Sequence, residues 1–448
     1  PDSVTLIGGS VFSYCSALTA ITIPDSVVSI GQGTFAGCTS LTSVAVGYSV
    51  TNIGNYAFSG CSALTSINVH SSNPYFDSID GVLFNKSLTS LIQCPAGFSG
   101  AYAIPDGVTS IGDAAFLFCR SLTAVTIPAS VTSIGQGAFR VCSALASVTI
   151  PDGVISIGSF AFENCSALTA ITIPDSITSI GDYAFCDCTA LATVTIPNGV
   201  TSIGYGAFSG CTALTSITIP DSVTYIHSDA FRQCSTLASV LFTGNAPAIG
   251  SYAFDNSPAT FYYFPGTSGW VAPAKPLLTY ELVNGGVTIT GIDTSFTGNS
   301  LPIPESLAGY PVTSIDDYAF SGCTSLTSVN IPGGATNIGY GAFQYCSGLT
   351  SLVIGSGVTG IGDGAFEGCE SLADVTIRCG EDALASDTFY GCDNIRCLTL
   401  DMPEISSQWE WNAYGINRGN VEALVIGNKV ASIYYNAFAG MTGLTSVV

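Results

Sequence analysis

The chain is predicted to fold as a β-rich solenoid of 23-residue coils, each with two short strands and one helical turn. Three observations point there. Phenylalanines recur at a strict period of 23 in one long run, Phe116, Phe139, Phe162, Phe185, Phe208, Phe231 and Phe254. An earlier run holds Phe12, Phe35 and Phe58, and a later one holds Phe320, Phe343, Phe366 and Phe389. Thirteen of the 17 cysteines stand three residues after such a phenylalanine. A fixed period of this size marks a stack in which each unit buries its apolar face only against its neighbours.

The unit is seen most clearly from Leu168 onward. Leu168-Thr169-Ala170-Ile171-Thr172-Ile173 puts its apolar residues at positions 0, 3 and 5, and its last three residues alternate in the strand manner, so Ile171 and Ile173 face inward and Thr172 outward. Pro174-Asp175-Ser176 supplies a turn, since proline pre-sets the backbone and short polar side chains bond nearby groups. Ile177-Thr178-Ser179-Ile180 reads as a second short strand ended by Gly181. Asp182-Tyr183-Ala184-Phe185 has the length of one helical turn and delivers Phe185 to the core.

Interruptions divide the stack. Residues 70–101 form a longer inserted coil, read as two strands around a polar turn near Asn85. After Phe254 the pattern stops at the β-prone segment Ala259-Thr260-Phe261-Tyr262-Tyr263-Phe264-Pro265, read with Gly266 to Trp270 as a cap and followed by the Pro-containing stretch Val271 to Pro276. Two modules are therefore expected: 1–276, a first solenoid with its cap, and 277–448, a second solenoid opening on an N-terminal strand cap. A degenerate unit, Trp409 to Tyr414, interrupts the second. Both ends, Pro1-Asp2-Ser3-Val4 and Leu444 to Val448, fall inside a repeat, as expected of a piece of a longer protein.

Composition narrows the function. Charged residues make up 9% of the chain, against about a quarter in an average globular protein, so Ser, Thr, Gly and Asn must cover much of the surface. Nine basic against 31 acidic residues give a net charge of −22, which repels phosphate backbones and makes a nucleic-acid partner improbable. No apolar run reaches the roughly 18 residues of a membrane-spanning helix. The only histidines, His70 and His227, lie far apart, and no paired Cys-x-x-Cys clusters occur. Neither a metal site nor a hydrolase triad is expected, and no cofactor is implied. The turn aspartates Asp152, Asp175 and Asp221 are read as solvated local caps. The cysteine column is expected to be a ladder of buried thiols, because stacked parallel side chains do not converge as a disulfide requires.

The motif Ile-Pro-Asp-Ser-Val-Thr-x-Ile-Gly-x-x-Ala-Phe-x-x-Cys-x-x-Leu resembles that of the BspA-like leucine-rich repeat family. Ile219 to Leu237 matches it with His227 in place of the glycine, and most other units match as well. Asp80 to Phe84 and Gly269-Trp270 also look like elements of that family. The resemblance implies a leucine-rich repeat solenoid that is secreted or displayed at the cell surface. It further implies a non-enzymatic scaffold that adheres to a host or matrix protein or glycan; a passive spacer carrying another domain is the alternative. Contact is expected on the outward strand residues. These form a threonine array, Thr22, Thr126, Thr149, Thr172, Thr195, Thr218, Thr376 and Thr399, in which Asn68, Leu241, Asn330 and Val353 are departures and candidate partner-binding positions. The aromatic cluster Tyr262, Tyr263 and Trp270 is read as cap packing.

Overall fold

A computed structural model describes residues 3–270, 275–293, 295–405, 414–434 and 437–448. Two compact units emerge: 1–238 with 246–259, and 239–245 with 260–448. The expected division near residue 276 thus moves upstream. The segment 259–265, expected to cap the first module, lies from residue 260 onward in the second, where Tyr262 and Phe264 are buried with Leu277, Leu278 and Ile289.

Within the first unit the coils pair in parallel at a register of 23. Ala170–Thr172 lies beside Thr193–Thr195 with Ile171 opposite Val194. Ser179–Ile180 lies beside Ser202–Ile203. The β-branched residues that repeat in these columns suit a pleated, half-buried ladder.

The third stretch of each coil is not the expected helical turn. Tyr183 (φ 53°) and Asp187 (φ 56°) are left-handed, and a left-handed residue recurs two before and two after each phenylalanine from Phe12 to Phe389 in the three runs. Amide donors therefore alternate. Those of Tyr183, Phe185 and Asp187 reach the next coil's carbonyls of Tyr205, Ala207 and Ser209 at 2.7, 2.8 and 2.8 Å. Those of Ala184, Cys186 and Cys188 close local turns onto Gly181, Tyr183 and Phe185 at 3.2, 3.2 and 3.3 Å. A helix would satisfy these groups locally; the alternation satisfies them while tying each coil to the next. Among the described residues only Glu381–Ala383 and Arg418–Asn420 are 3₁₀ turns, and no α-helix occurs.

The phenylalanine column is continuous within each run. Rings of Phe139, Phe162, Phe185 and Phe208 are fully buried and stack at 5.1, 5.5 and 5.3 Å, almost parallel. The second unit repeats this with Phe320, Phe343 and Phe366 at 4.9 and 5.2 Å.

Beside it runs the thiol column. Cys165, Cys188 and Cys211 are buried and unbridged, and each Sγ donates to the previous coil's phenylalanine carbonyl at 3.1, 3.2 and 3.2 Å. That carbonyl already accepts a turn amide, so the thiol takes its second lone pair. Ser257 stands in the same column and donates to the Phe231 carbonyl at 2.7 Å. The position selects a small donor, not a sulfur. Burial pushes the Cys61 and Cys234 thiols up to about 12. Because the raised value belongs to the folded state, this contribution to stability is present below the ordinary thiol range and is lost as pH climbs from about 9 towards 12. A thiol reagent at neutral pH is expected to modify exposed Cys15 at once and the ladder only on unfolding. Mass spectrometry that found bridges between neighbouring coils would refute the ladder.

The insert holds three strands rather than two. Phe76–Ile79 and Val82–Asn85 form a hairpin at Asp80-Gly81, where both φ values are positive (50° and 78°), as a type I′ turn requires. A second turn follows at Asn85, whose Oδ1 accepts the Thr89 and Ser90 amides at 2.9 Å. Ser90–Gln93 then joins Ser110–Ile111 in parallel, which keeps the stack in register.

In the second unit the paired strands Ser239–Phe242 and Thr260–Tyr263 are followed by the antiparallel pair Leu278–Val283 and Gly286–Ile292 around Asn284-Gly285. From Ser300–Pro302 onward, seven strands continue as one parallel sheet to Ser446–Val447. Most of the degenerate Trp409 to Tyr414 unit, 409–413, lies outside the described residues.

Candidate partner-binding surface

The second unit's parallel sheet brings Asn330 and Val353 together. They are register partners, and the row continues through Thr376, Thr399 and Val425. Their neighbours in sequence, Val329, Leu352, Val375, Leu398 and Leu424, are buried in the core. The alternation therefore turns the row outward, with Asn330 exposed and Val353 half-buried between flanking strands. In the first unit the corresponding rows are Thr22–Ala45–Asn68 and Ala103–Thr126–Thr149, all exposed.

Asn68 lies on a shallow groove of about 250 Å³ shared with Thr22, Ala45, Asp25 and His70. Its amide donates to Ser66 Oγ at 3.2 Å. Gly47 lets the coils close here, since a β-carbon would stand 2.9 Å from the Ile23 carbonyl. His70 Nδ1 accepts the Ser72 amide at 3.1 Å, and the Tyr48 ring lies 6.1 Å away. Amides, hydroxyls, one imidazole and one carboxylate can exchange hydrogen bonds with a peptide or sugar.

Leu241 is a correction. It was expected to point outward and is 1% exposed, in the apolar cluster of Tyr262, Phe264 and Leu277. All four residues of Ser239–Phe242 are buried, because Thr260–Tyr263 pairs with this strand and the following chain packs over it. The continuous apolar run Val240-Leu241-Phe242 was the signal of a strand covered on both faces. The aromatic cluster is packing in this same region. Tyr262 is buried, the Tyr263 and Trp270 rings stack at 5.3 Å, and Trp270 Nε1 donates to Thr267 at 2.8 Å.

The turn aspartates Asp152, Asp175 and Asp221 are exposed. Among the described residues no group of three or more His, Cys, Asp or Glu is placed to hold a metal ion. No helix of the described residues is long and apolar enough to cross a membrane.

A second surface was missed from sequence. The left-handed columns carry tyrosines whose rings lie across the next coil's glycine: Tyr14 on Gly37, Tyr183 on Gly206, Tyr318 on Gly341 and Tyr345 on Gly368. A β-carbon on Gly206 would come 2.6 Å from the Tyr183 ring. A left-handed aromatic is uncommon, and the pairing of tyrosine with glycine 23 residues later was its legible signature. Phe160 and Tyr183 stack at 5.1 Å, and the Arg140 guanidinium lies 5.4 Å from the Phe160 ring centre while pairing with Glu163. Farther along, the Asp229 carboxylate holds the Tyr205 hydroxyl up at about 12.

The family described as "BspA type Leucine rich repeat region" matches residues 1–99, 100–176, 155–269 and 295–409. The chain is similar to a leucine-rich repeat protein from Bacteroides ovatus, 25% identical over 96% of this chain and 88% of that one, with a TM-score of 0.41. It is also similar to one from Eubacterium ventriosum (25% identity, 60% and 82% covered, TM-score 0.47). A leucine-rich cell surface protein from Faecalibacterium prausnitzii is 26% identical, with 84% and 95% covered and a TM-score of 0.32. No curated protein matches the chain.

Proposed function

The chain belongs to the BspA-type leucine-rich repeat family, and from that premise we propose a non-enzymatic scaffold, secreted or at the cell surface, that binds a host or matrix protein or glycan through its strand face. The observation that carries this reading is the row Asn330–Val353–Thr376–Thr399–Val425. It is an outward, in-register line of amide, hydroxyl and small apolar groups on a sheet whose other face is core. Such a line offers shape and hydrogen bonds to an extended partner and no paired nucleophile and base. Excess negative charge steers a basic partner over long range, an attraction that salt screens.

The test is binding to immobilised extracellular-matrix proteins over a salt series. Val353→Lys is expected to weaken binding by on the order of tenfold while circular dichroism stays unchanged, since a like charge facing a basic partner repels it. Binding by the parent chain should fall with added salt. Unchanged affinity in the folded variant would remove the strand face as the site and favour a spacer. Salt-independent binding would remove the steering.

A further inference from the structure

On the turn ladder of the second unit, away from the strand face, lies an open groove of about 400 Å³ walled by Tyr345 and Tyr390. Glu367, Glu370 and Asp393 line it, and Gly368 and Gly391 form its floor. Both rings are more than half exposed, at 54% and 61%. Glycine at 368 is what lets the Tyr345 ring lie down, because a β-carbon there would stand 2.5 Å from it.

The first unit shows an arginine held between a ring and a carboxylate. Arg140 and Glu163 each follow a ladder phenylalanine in adjacent coils, and the arginine both pairs with that carboxylate and covers the Phe160 ring. The same register positions in the second unit hold Gln344 and Glu367, with Gly364 in the place of Phe160, so the aromatic faces come instead from Tyr345 and Tyr390. Gln344 Nε2 donates to Glu367 at 2.6 Å, and the Tyr345 hydroxyl donates to it at 3.4 Å, so hydrogen bonds are made but the charge is not neutralised. No lysine or arginine occurs between Lys275 and Arg378, a stretch that includes Glu367 and Glu370. Among the described residues none of the three groove carboxylates has a basic partner, whereas Glu163, Asp229 and Asp255 of the first unit have Arg140 and Arg232. A guanidinium between aromatic faces and carboxylates satisfies both the ring quadrupoles and the negative charge.

We propose that this groove is a binding site for an arginine side chain presented by a basic segment of a protein partner, its guanidinium set between the two tyrosines and the three carboxylates. The site is separate from the strand face, so either surface can fail without the other.

The probe is a fluorescein-labelled peptide of alternating arginine and glycine, read by anisotropy against the full chain. Glu370→Gln with Asp393→Asn is expected to weaken binding by on the order of tenfold, and Tyr390→Ala to weaken it similarly. Asp152→Asn with Asp175→Asn, which removes as much charge from the first unit, should change it by less than about twofold. Gln344→Arg supplies an internal guanidinium to Glu367 and should also lower peptide affinity. Equal losses in the two double variants would reduce the effect to net charge and overturn the site. So would undiminished binding by Gln344→Arg or by Tyr390→Ala with an unchanged dichroism spectrum.

Discussion

Phe185→Ala is expected to destabilise the first unit by about 3–5 kcal/mol, the usual cost of deleting a large buried ring. The ring is fully buried and stacked on Phe162 at 5.5 Å and on Phe208 at 5.3 Å, so truncation removes contacts on both sides. In a stack where each coil touches only its neighbours, such a loss falls on two interfaces at once. Denaturant unfolding of the variant should therefore show a lower midpoint and a broader transition, as the coils either side uncouple. Phe160, two positions before the ladder phenylalanine and only half-buried, is the control, and Phe160→Ala should shift stability by no more than about 1 kcal/mol. Equal effects at the two positions would contradict a load-sharing ring column.

What the chain spelled out depends on how local each signal is. The phenylalanine and cysteine columns were legible because a period of 23 stacks identical positions, and an apolar residue repeated there has nowhere to go but inward. The adjacency of Asn330 and Val353 follows from the same spacing. The conformation around Tyr183 was not legible, since positive φ at a tyrosine leaves no mark in a single unit. It shows only when Gly206 is read beside it as the residue that makes room for the ring. The hairpin at Asp80-Gly81 had a strong local signature that the polar turn at Asn85 masked. Leu241 failed for another reason. Whether a strand's outer face meets water is decided by what packs over it, and here that is a segment some 20 residues further on.

Leu241→Asp accordingly has the second large expected effect, and it acts on folding rather than on binding. The side chain is 1% exposed among the apolar residues Tyr262, Phe264 and Leu277. An ion left unpaired in such a place costs several kcal/mol, or is driven to protonate. The introduced acid would hold its proton well above the ordinary carboxylate range. Relative to the parent chain, the variant should then be least stable at neutral pH and recover part of the loss as pH falls towards that range. Val353→Asp, whose half-buried side chain lies on the outward strand face, should shift stability by only about 0.5 kcal/mol. Thermal unfolding of both variants at pH 7 and pH 4 separates the cases. A Leu241→Asp chain with the parent's midpoint would return residue 241 to the surface and reopen it as a contact position. A collapse of midpoint with partial rescue in acid would fix it in the core, and with it the segment Thr260–Phe264 that covers it.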